Sequence, residues 1–309
     1  MKAKQRVKAP RRGQSIASAA ARWARRDVAA QRGVRSVRWR RLRWLLGGAG
    51  LAVIWAGSLV GLTVWMSRVP YDAHAPAYAS RPYAPFTRQA AIAIARREWR
   101  AWGEVVVDEP SPPSGVKLER QEGLWQRVGD YWWEGVSPTN VDTAWTGMHD
   151  DTGTVFPADQ DGVYAWSAAF VDYVMRVAGA RDLFPYAVAH ADYINAAALA
   201  TRGEASKPGI RAEKPEVYAP RPGDLICAGR HDATRMRYDD LPAPHFASHC
   251  AIVVDKAPGL LSIIGGNVAD AVALTHVPTT PGGLLVNANG QVLDERYSWF
   301  VIVVPPYQG

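Results

Sequence analysis

Ser167 is the residue whose type and position first suggest catalysis. It lies close to the predicted start of a helix, beside an apolar face that repeats every three or four residues: Trp166, Phe170, Tyr173, Val174 and Val177. The start of a helix offers a nucleophile partial positive charge and unpaired backbone N–H groups. The pattern therefore indicates either a nucleophile or a small residue in a tight helix contact.

Three short motifs follow this helix along the chain. Pro222-Gly-Asp-Leu precedes one strand-like run, a second run starts at His249, and a third ends in Gly265-Gly266-Asn267. Together with WSAAFVDYV, this order resembles the papain-like cell-wall amidases of the CHAP and NlpC type, whose helix commonly reads W-C-A-A-F-V. With RVGDYWW at 127–133 included, the pattern looks closest to an uncharacterised bacterial domain-of-unknown-function family allied to those amidases, which also has Ser at the Cys position. The resemblance covers about residues 87–305.

The resemblance implies a catalytic set. Ser167 would be the nucleophile, His249 the general base and acid, and Asn267 the residue that orients the imidazole. Helix N–H groups near Ser167 would form part of an oxyanion hole. Since a helix terminus cannot ionise a hydroxyl as it ionises a thiol, His249 must lie within about 3.2 Å of Ser167.

The predicted cleft also needs residues that bind substrate. We expect Trp166, His190, Tyr193 and Gly266 to fill this role, although His190, in the segment HADYI, could instead cap its helix. The loop 228–248 contains His231, His245, Asp239 and Asp240, but it lacks tight metal-ligand spacing. We therefore expect neither a metal nor another cofactor.

Cys227 and Cys250 lie in two consecutive strand-like runs that would pair as a hairpin. A disulfide across this pair can form in an oxidising compartment. Because alternate strand residues point to opposite faces, Cys250 should point away from a cleft that receives His249. This argues against Cys250 as a substitute nucleophile.

Four roles stay open for the domain. It is an amidase or peptidase acting on cell-wall peptide, or an inactive module that binds a wall or envelope ligand in the same cleft. It could also transfer acyl groups to or from lipid, or Ser167 is simple packing and the site lies elsewhere. The sequence carries no indication of oligomeric state.

Charge divides the chain into two unlike parts. Fifteen of the 36 Lys and Arg residues, but one of the 29 acidic residues, lie in residues 1–43. The remainder has 21 bases and 28 acids, so it is mildly acidic and the overall charge of +7 does not describe its ligand. The basic arm could bind nucleic acid, but the apolar segment that follows favours an orienting arm beside anionic lipid. We expect no nucleic-acid partner.

Residues 44–67 contain no charged side chain and are long enough to cross a bilayer as one helix. Trp44 and Trp65 lie near the two ends, and the basic arm places the N-terminus in the cytoplasm by the positive-inside rule. A cleaved signal peptide, with Ala77-Tyr78-Ala79 as cleavage site, and a buried core helix are the alternatives. An ordinary signal peptide has a shorter leading arm and apolar run. We therefore predict a single-pass protein of the bacterial inner membrane with its main domain in the periplasm.

The domain organisation follows from this segment. Residues 68–86 are a Pro- and Ala-rich tether, and residues 87–309 form the periplasmic domain. Helices are predicted from Thr87 to about Trp102 and near 117–133, at the Trp166 segment, and near 190–200. Five strands are predicted near 223–228, 249–255, 260–265, 271–277 and 297–304. Helices followed by a strand meander indicate an α+β, papain-like domain, with helices on an antiparallel sheet or open barrel.

Overall fold

The computed structural model describes residues 85–109, 117–137, 139–204 and 209–308. The predicted arm at 1–43, the predicted membrane helix at 44–67 and nearly all of the tether lie outside these ranges. Within them, no helix combines the length and the apolar character that a bilayer span requires.

The first helix begins where the sequence predicts. Thr87 has an extended backbone, and its hydroxyl accepts a hydrogen bond from the Ala90 N–H at 3.2 Å, which satisfies one unpaired donor of the first turn. Four α-helices are formed by the described residues: α1 (Arg88–Ala101), α2 (Leu124–Gly135), α3 (Ser167–Val177) and α4 (His190–Thr201).

The second predicted helix is divided in two. The sequence pattern predicts a continuous helix near 117–133, but the structure has a 3₁₀ turn over Leu118–Arg120 and begins α2 only after Gly123. Gly123 has φ 87°, a left-handed conformation that an α-helix cannot contain and that glycine adopts without strain. The 3₁₀ turn has its own role, because it carries Glu119 into the interior.

A six-stranded antiparallel sheet lies against the helices. Its strands are β1 (Arg211–Glu213), β2 (Leu225–Gly229), β3 (Ser248–Ala257), β4 (Leu260–Val268), β5 (Ala271–Pro278) and β6 (Trp299–Val304). From β2 to β5 the strands follow one another as a meander, and β6 returns to lie between β1 and β2. This confirms the predicted α+β class with an open antiparallel sheet.

One strand, β1, lies outside the five strands that the sequence predicts. The polar segment 201–221 contains β1, which pairs with β6 from Arg211 to Glu213. Ile210 and Ala212 are buried there. A three-residue strand has no periodicity to detect, so only its pairing with β6 defines it.

The core is built around α3. This helix packs on β3 and β4 and lies beside α2, and nine of its eleven residues are buried. Gly266 of β4 allows this close approach, because a Cβ there would lie 2.4 Å from the Phe170 Cβ and 2.9 Å from the Trp166 ring. A second apolar cluster, with Trp299 and Ile302 among its members, covers the other face of the sheet. The start of α3 is therefore held from several directions.

Candidate active site

Ser167 is the first residue of α3 and lines a cavity of about 890 Å³. The first hydrogen bond of the helix runs from the Phe170 N–H to the Trp166 carbonyl at 3.0 Å. The N–H groups of residues 167–169 therefore have no acceptor within the helix. The Ser167 hydroxyl is largely buried, with 8% of the residue exposed. These are the surroundings that the sequence predicted for a nucleophile.

His190 is the residue that contacts the Ser167 hydroxyl. Its Nε2 atom lies 2.7 Å from the Ser167 Oγ, within the normal range for a hydrogen bond. His190 is the first residue of α4 and is buried. The sequence pattern predicted substrate binding or helix capping for this residue. In the structure it lines the cavity and lies where a general base for Ser167 would lie.

Tyr193 completes this chain of hydrogen bonds. It lies three residues after His190 on the same face of α4, and its hydroxyl contacts His190 Nδ1. Tyr193, which the sequence predicts as a substrate-binding residue, is fully buried and is not among the residues that line the cavity. Its position relative to His190 corresponds to that of an orienting residue.

Two tautomers of His190 satisfy the same contacts. If Nδ1–H donates to the Tyr193 hydroxyl, Nε2 accepts the proton of Ser167, which is the arrangement that activates a nucleophile. If Tyr193 donates to Nδ1, then Nε2–H donates to Ser167 and the serine is not activated. The tautomer is therefore a determinant of catalytic competence at this site.

His249 lies beside His190 and makes no hydrogen bond to Ser167. The two imidazole rings are 5.6 Å apart between centroids and nearly perpendicular. A Cβ on Gly265 would lie 3.0 Å from His249 Nε2, which places this nitrogen beside β4. The structure shows no hydrogen bond between His249 and Ser167, two described residues, so the predicted Ser167–His249 contact is replaced by Ser167–His190.

Asn267 lines the cavity but does not orient His249. The buried Nδ1 atom of His249 has no hydrogen-bond partner among the described residues, so the hydrogen bond expected from Asn267 is not formed. Asn267 has φ 54°, at the bulge between β4 and β5. This left-handed conformation, which asparagine tolerates better than most residues, turns the chain at the cavity wall.

Trp166 and Gly266, like Tyr193, do not line the cavity. Trp166 is 1% exposed and stacks on Trp102, with ring centroids 5.2 Å apart. Its indole N–H donates to the Glu119 carboxyl at 2.5 Å. Of the four residues predicted to bind substrate, His190 alone reaches the cavity wall. The contacts of Trp166 and Gly266 instead fix the start of α3.

The surroundings of His190 and His249 favour the neutral form of both imidazoles. Burial lowers the pKa of His249 to about 3, and repulsion by Arg230 contributes. Burial also lowers the pKa of His190 well below its usual value, and the neighbouring His249 and Arg230 act in the same direction. A neutral His190 can accept a proton, but the imidazolium that results is disfavoured in these surroundings.

An acidic cluster forms another part of the cavity wall. Asp161 and Asp270 line the cavity, and Glu119 lies behind them. Burial and the charges of Asp270 and Asp161 raise the pKa of Glu119 to about 8, against the hydrogen bond from Trp166. This raised pKa favours the protonated, neutral form of Glu119. No spacing rule in the sequence brings these three residues together.

These carboxyl groups are the set of described residues that could hold a metal ion, since their oxygen atoms lie within 4.8 Å of one another. The site already contains cations. Lys117 Nζ hydrogen-bonds Asp161 and lies 3.4 Å from Asp270, and Arg120 pairs with Asp161. The ammonium group and the guanidinium pair with the two aspartates, and the raised pKa of Glu119 favours its neutral form, so the cluster is an ion-pair network.

Cys227 and Cys250 form a disulfide between β2 and β3, directly opposite each other in the register. Both are fully buried in the cluster that packs against the helices. Cys250 therefore has no free thiol, as expected for a residue that cannot substitute for the nucleophile. The bridge joins two neighbouring strands immediately beside His249.

The structure thus defines an α+β domain with a buried serine–histidine pair at the start of a helix. The model of DUF2272, a family of uncharacterised proteins conserved in bacteria, matches residues 119–304, and the chain belongs to this family. The matched region contains Ser167, His190 and the whole sheet. Neither the curated proteins nor the solved structures give a match.

Proposed function

We propose that this protein is a membrane-anchored periplasmic hydrolase that cleaves an amide bond in cell-wall peptide, with Ser167 as nucleophile and His190 as base. The observation that carries the proposal is the 2.7 Å contact between Ser167 Oγ and His190 Nε2 at the wall of a cavity. The resemblance of the motif order to the CHAP and NlpC amidases supports a papain-like arrangement, with Ser167 at their cysteine position.

The chemistry follows the usual course for a nucleophile and a base. Ser167 Oγ attacks the carbonyl carbon while its proton passes to His190 Nε2. The N–H groups at the start of α3 are positioned to donate to the oxyanion. His190 then protonates the leaving amine as the C–N bond breaks, and water hydrolyses the acyl-serine ester. Tyr193 is proposed to hold His190 in the accepting tautomer.

The location rests on two features of the chain. The uncharged segment 44–67 follows the basic arm 1–43 and would anchor the domain outside the cytoplasm. The Cys227–Cys250 disulfide is consistent with an oxidising compartment. A domain tethered there has access to the peptide of the cell wall.

The test separates the two histidines. Full-length protein is incubated with purified cell wall, and new amine and carboxyl termini are measured for the wild type and for Ser167→Ala, His190→Ala and His249→Ala. We expect loss of activity of about 10²-fold or more for the first two variants. Ser262→Ala, on β4 away from the cavity, is the matched control. Wild-type activity in Ser167→Ala would overturn the proposal.

A second candidate function is binding without catalysis. It is favoured by the partner of His190, which is a phenol where hydrolases commonly have a carboxylate. It is also favoured by the lowered pKa of His190, which disfavours the protonated intermediate. Saturable binding of cell-wall fragments that are recovered intact after long incubation would select this function. Labelling of Ser167 by a fluorophosphonate, found by mass spectrometry, would select the hydrolase.

A further inference from the structure

Arg230 projects from a rigid turn at the edge of the cavity. It directly follows β2, and its backbone N–H donates to the Ala247 carbonyl at 2.9 Å while its own carbonyl accepts from the Ala233 N–H at 2.9 Å. A Cβ on Gly229 would lie 1.9 Å from the Ala233 oxygen, so only glycine fits there. The backbone is therefore fixed, whereas the side chain is exposed and lines the cavity.

The Arg230 guanidinium has no counter-ion among the residues that the structure describes. Arg88 and Arg127 pair with the buried carboxylates of Asp224 and Glu98. Lys117, the other cation of the cavity wall, is paired with acids of the same wall. Across the described ranges, no hydrogen bond or ion pair involves the Arg230 side chain. An unpaired guanidinium that lines the same cavity as Ser167 and His190 is available to a ligand.

We propose that Arg230 binds a compact oxyanion, a carboxylate or a phosphate, that the substrate carries next to the bond presented to Ser167. The inference rests on the proposed hydrolytic function for the scissile bond and adds the chemical class of the substrate. A guanidinium presents a planar pair of N–H donors that matches such a group in two parallel hydrogen bonds. A cavity of about 890 Å³ accommodates a ligand of peptide size.

Arg230 also links ligand binding to the base. Transfer of the Ser167 proton creates an imidazolium at His190, close to a guanidinium that already repels positive charge. This repulsion contributes to the lowered pKa of both buried histidines. An oxyanion bound to Arg230 offsets the repulsion and makes the proton transfer easier. Substrates that lack the anion are disfavoured in binding and in the chemical step.

The first experiment compares two activated esters on the full-length protein: mono-4-nitrophenyl succinate, which carries a carboxylate, and the neutral 4-nitrophenyl butyrate. We expect Ser167-dependent hydrolysis with a higher kcat/KM for the succinate. Arg230→Gln should lower kcat/KM for the succinate about 10- to 100-fold but should not lower kcat/KM for the butyrate, because it removes a positive charge that opposes the His190 imidazolium. Arg230→Lys keeps the positive charge but not the planar pair of N–H donors, so its kcat/KM for the succinate should lie between those of the wild type and Arg230→Gln.

Arg235→Gln is the matched control. It removes the same charge from an exposed arginine of the following turn that does not line the cavity. Its ratio of the two kcat/KM values should equal that of the wild type. An equal loss for both esters in Arg230→Gln, with thermal unfolding unchanged, would overturn the inference, because Arg230 would then not recognise the anion.

The second experiment measures binding without catalysis. Ser167→Ala protein is titrated with N-acetylglycine, its uncharged amide, and methyl phosphate, and binding is followed by NMR. We expect the two anions to bind more tightly than the amide, and Arg230→Gln to remove the difference; their ranking distinguishes a carboxylate from a phosphate ligand. Equal binding of all three compounds would overturn the role of Arg230. If neither ester is hydrolysed through Ser167, the proposed hydrolase fails while this titration still decides the anion site.

Discussion

Glu119 allows a direct test of the electrostatics beneath the candidate site. It is 2% exposed, and the indole N–H of Trp166 donates to one of its oxygens, while the other has no donor among the described residues. Burial and the charges of Asp270 and Asp161 raise its pKa from 4.5 to about 8. Substitution of Glu119 by glutamine keeps the shape and one acceptor oxygen but removes the ionisation.

The sign of the effect follows from proton binding. Between pH 4.5 and 8 the folded protein retains the Glu119 proton, whereas the unfolded chain has released it. The folded state therefore binds more protons, and stability falls as the pH rises through this interval. At about 1.4 kcal/mol per pKa unit, the full effect is at most about 5 kcal/mol, and about 4 kcal/mol of it should appear between pH 5 and 9.

The two buried histidines change stability in the opposite direction. Their lowered pKa values mean that the unfolded chain binds the additional protons below pH 6.5, so their contribution increases with pH up to that value. Because Glu119→Gln keeps both histidines, their contribution cancels when the stability of the variant is subtracted from that of the wild type at the same pH. We therefore compare the two proteins at each pH and do not interpret either curve alone.

The measurement is urea-induced unfolding of purified wild-type and Glu119→Gln protein at pH 5, 7 and 9, followed by tryptophan fluorescence. The wild type should lose about 4 kcal/mol relative to the variant across this range, with most of the loss below pH 8. Glu216→Gln, a substitution of an exposed glutamate, should run parallel to the wild type. Parallel curves for Glu119→Gln within about 0.5 kcal/mol would refute a protonated Glu119.

Three further predictions concern the site and its support. Tyr193→Phe should lower kcat about 10- to 100-fold with little change in KM, because the accepting tautomer of His190 loses its partner; unchanged kcat would show that Tyr193 does not orient the imidazole. Gly266→Ala should destabilise the protein by about 1–3 kcal/mol in urea unfolding, because the new Cβ would lie 2.4 Å from Phe170, whereas Gly162→Ala, with open space around it, should not. Replacing Cys227 and Cys250 by alanine should reduce the free energy of unfolding by about 3 kcal/mol under non-reducing conditions, and a wild type equally stable with and without reductant would contradict this.

Local signals account for what the sequence predicts correctly about the fold. The Thr87 cap, the apolar faces of α1 and α3, and the β-branched runs of β3 and β5 are each visible within about ten residues. Where the prediction departs from the structure, the missing information is either one backbone conformation or a distant partner. Gly123 stops a helix that composition alone would continue, and β1 exists because β6 pairs with it.

The candidate site shows the same difference between features that the local sequence predicts and features that depend on distant residues. Ser167 could be selected from the sequence because the start of a helix is a local feature. The choice between His190 and His249 depends on which imidazole reaches Ser167, and chain order alone cannot determine that distance. The structure separates the two ring centroids by 5.6 Å. The three-residue spacing between His190 and Tyr193 was the available signal, because it places both side chains on one helix face.

The stability of the charged His190 imidazolium, more than the distance between Ser167 and His190, limits proton transfer at this site. Ser167 and His190 already lie at hydrogen-bond distance, so no movement is needed to begin proton transfer. The obstacle is the imidazolium, which forms in a buried place beside a second histidine and an unpaired guanidinium. In the described part of the chain no carboxylate lies against His190 to stabilise it; its other partner is the neutral phenol of Tyr193. The missing negative charge must then come from the ligand, and the cavity presents Arg230 to receive it. On this proposal a neutral compound is a poorer substrate than an anionic one, because the anion that Arg230 binds also stabilises the imidazolium of His190.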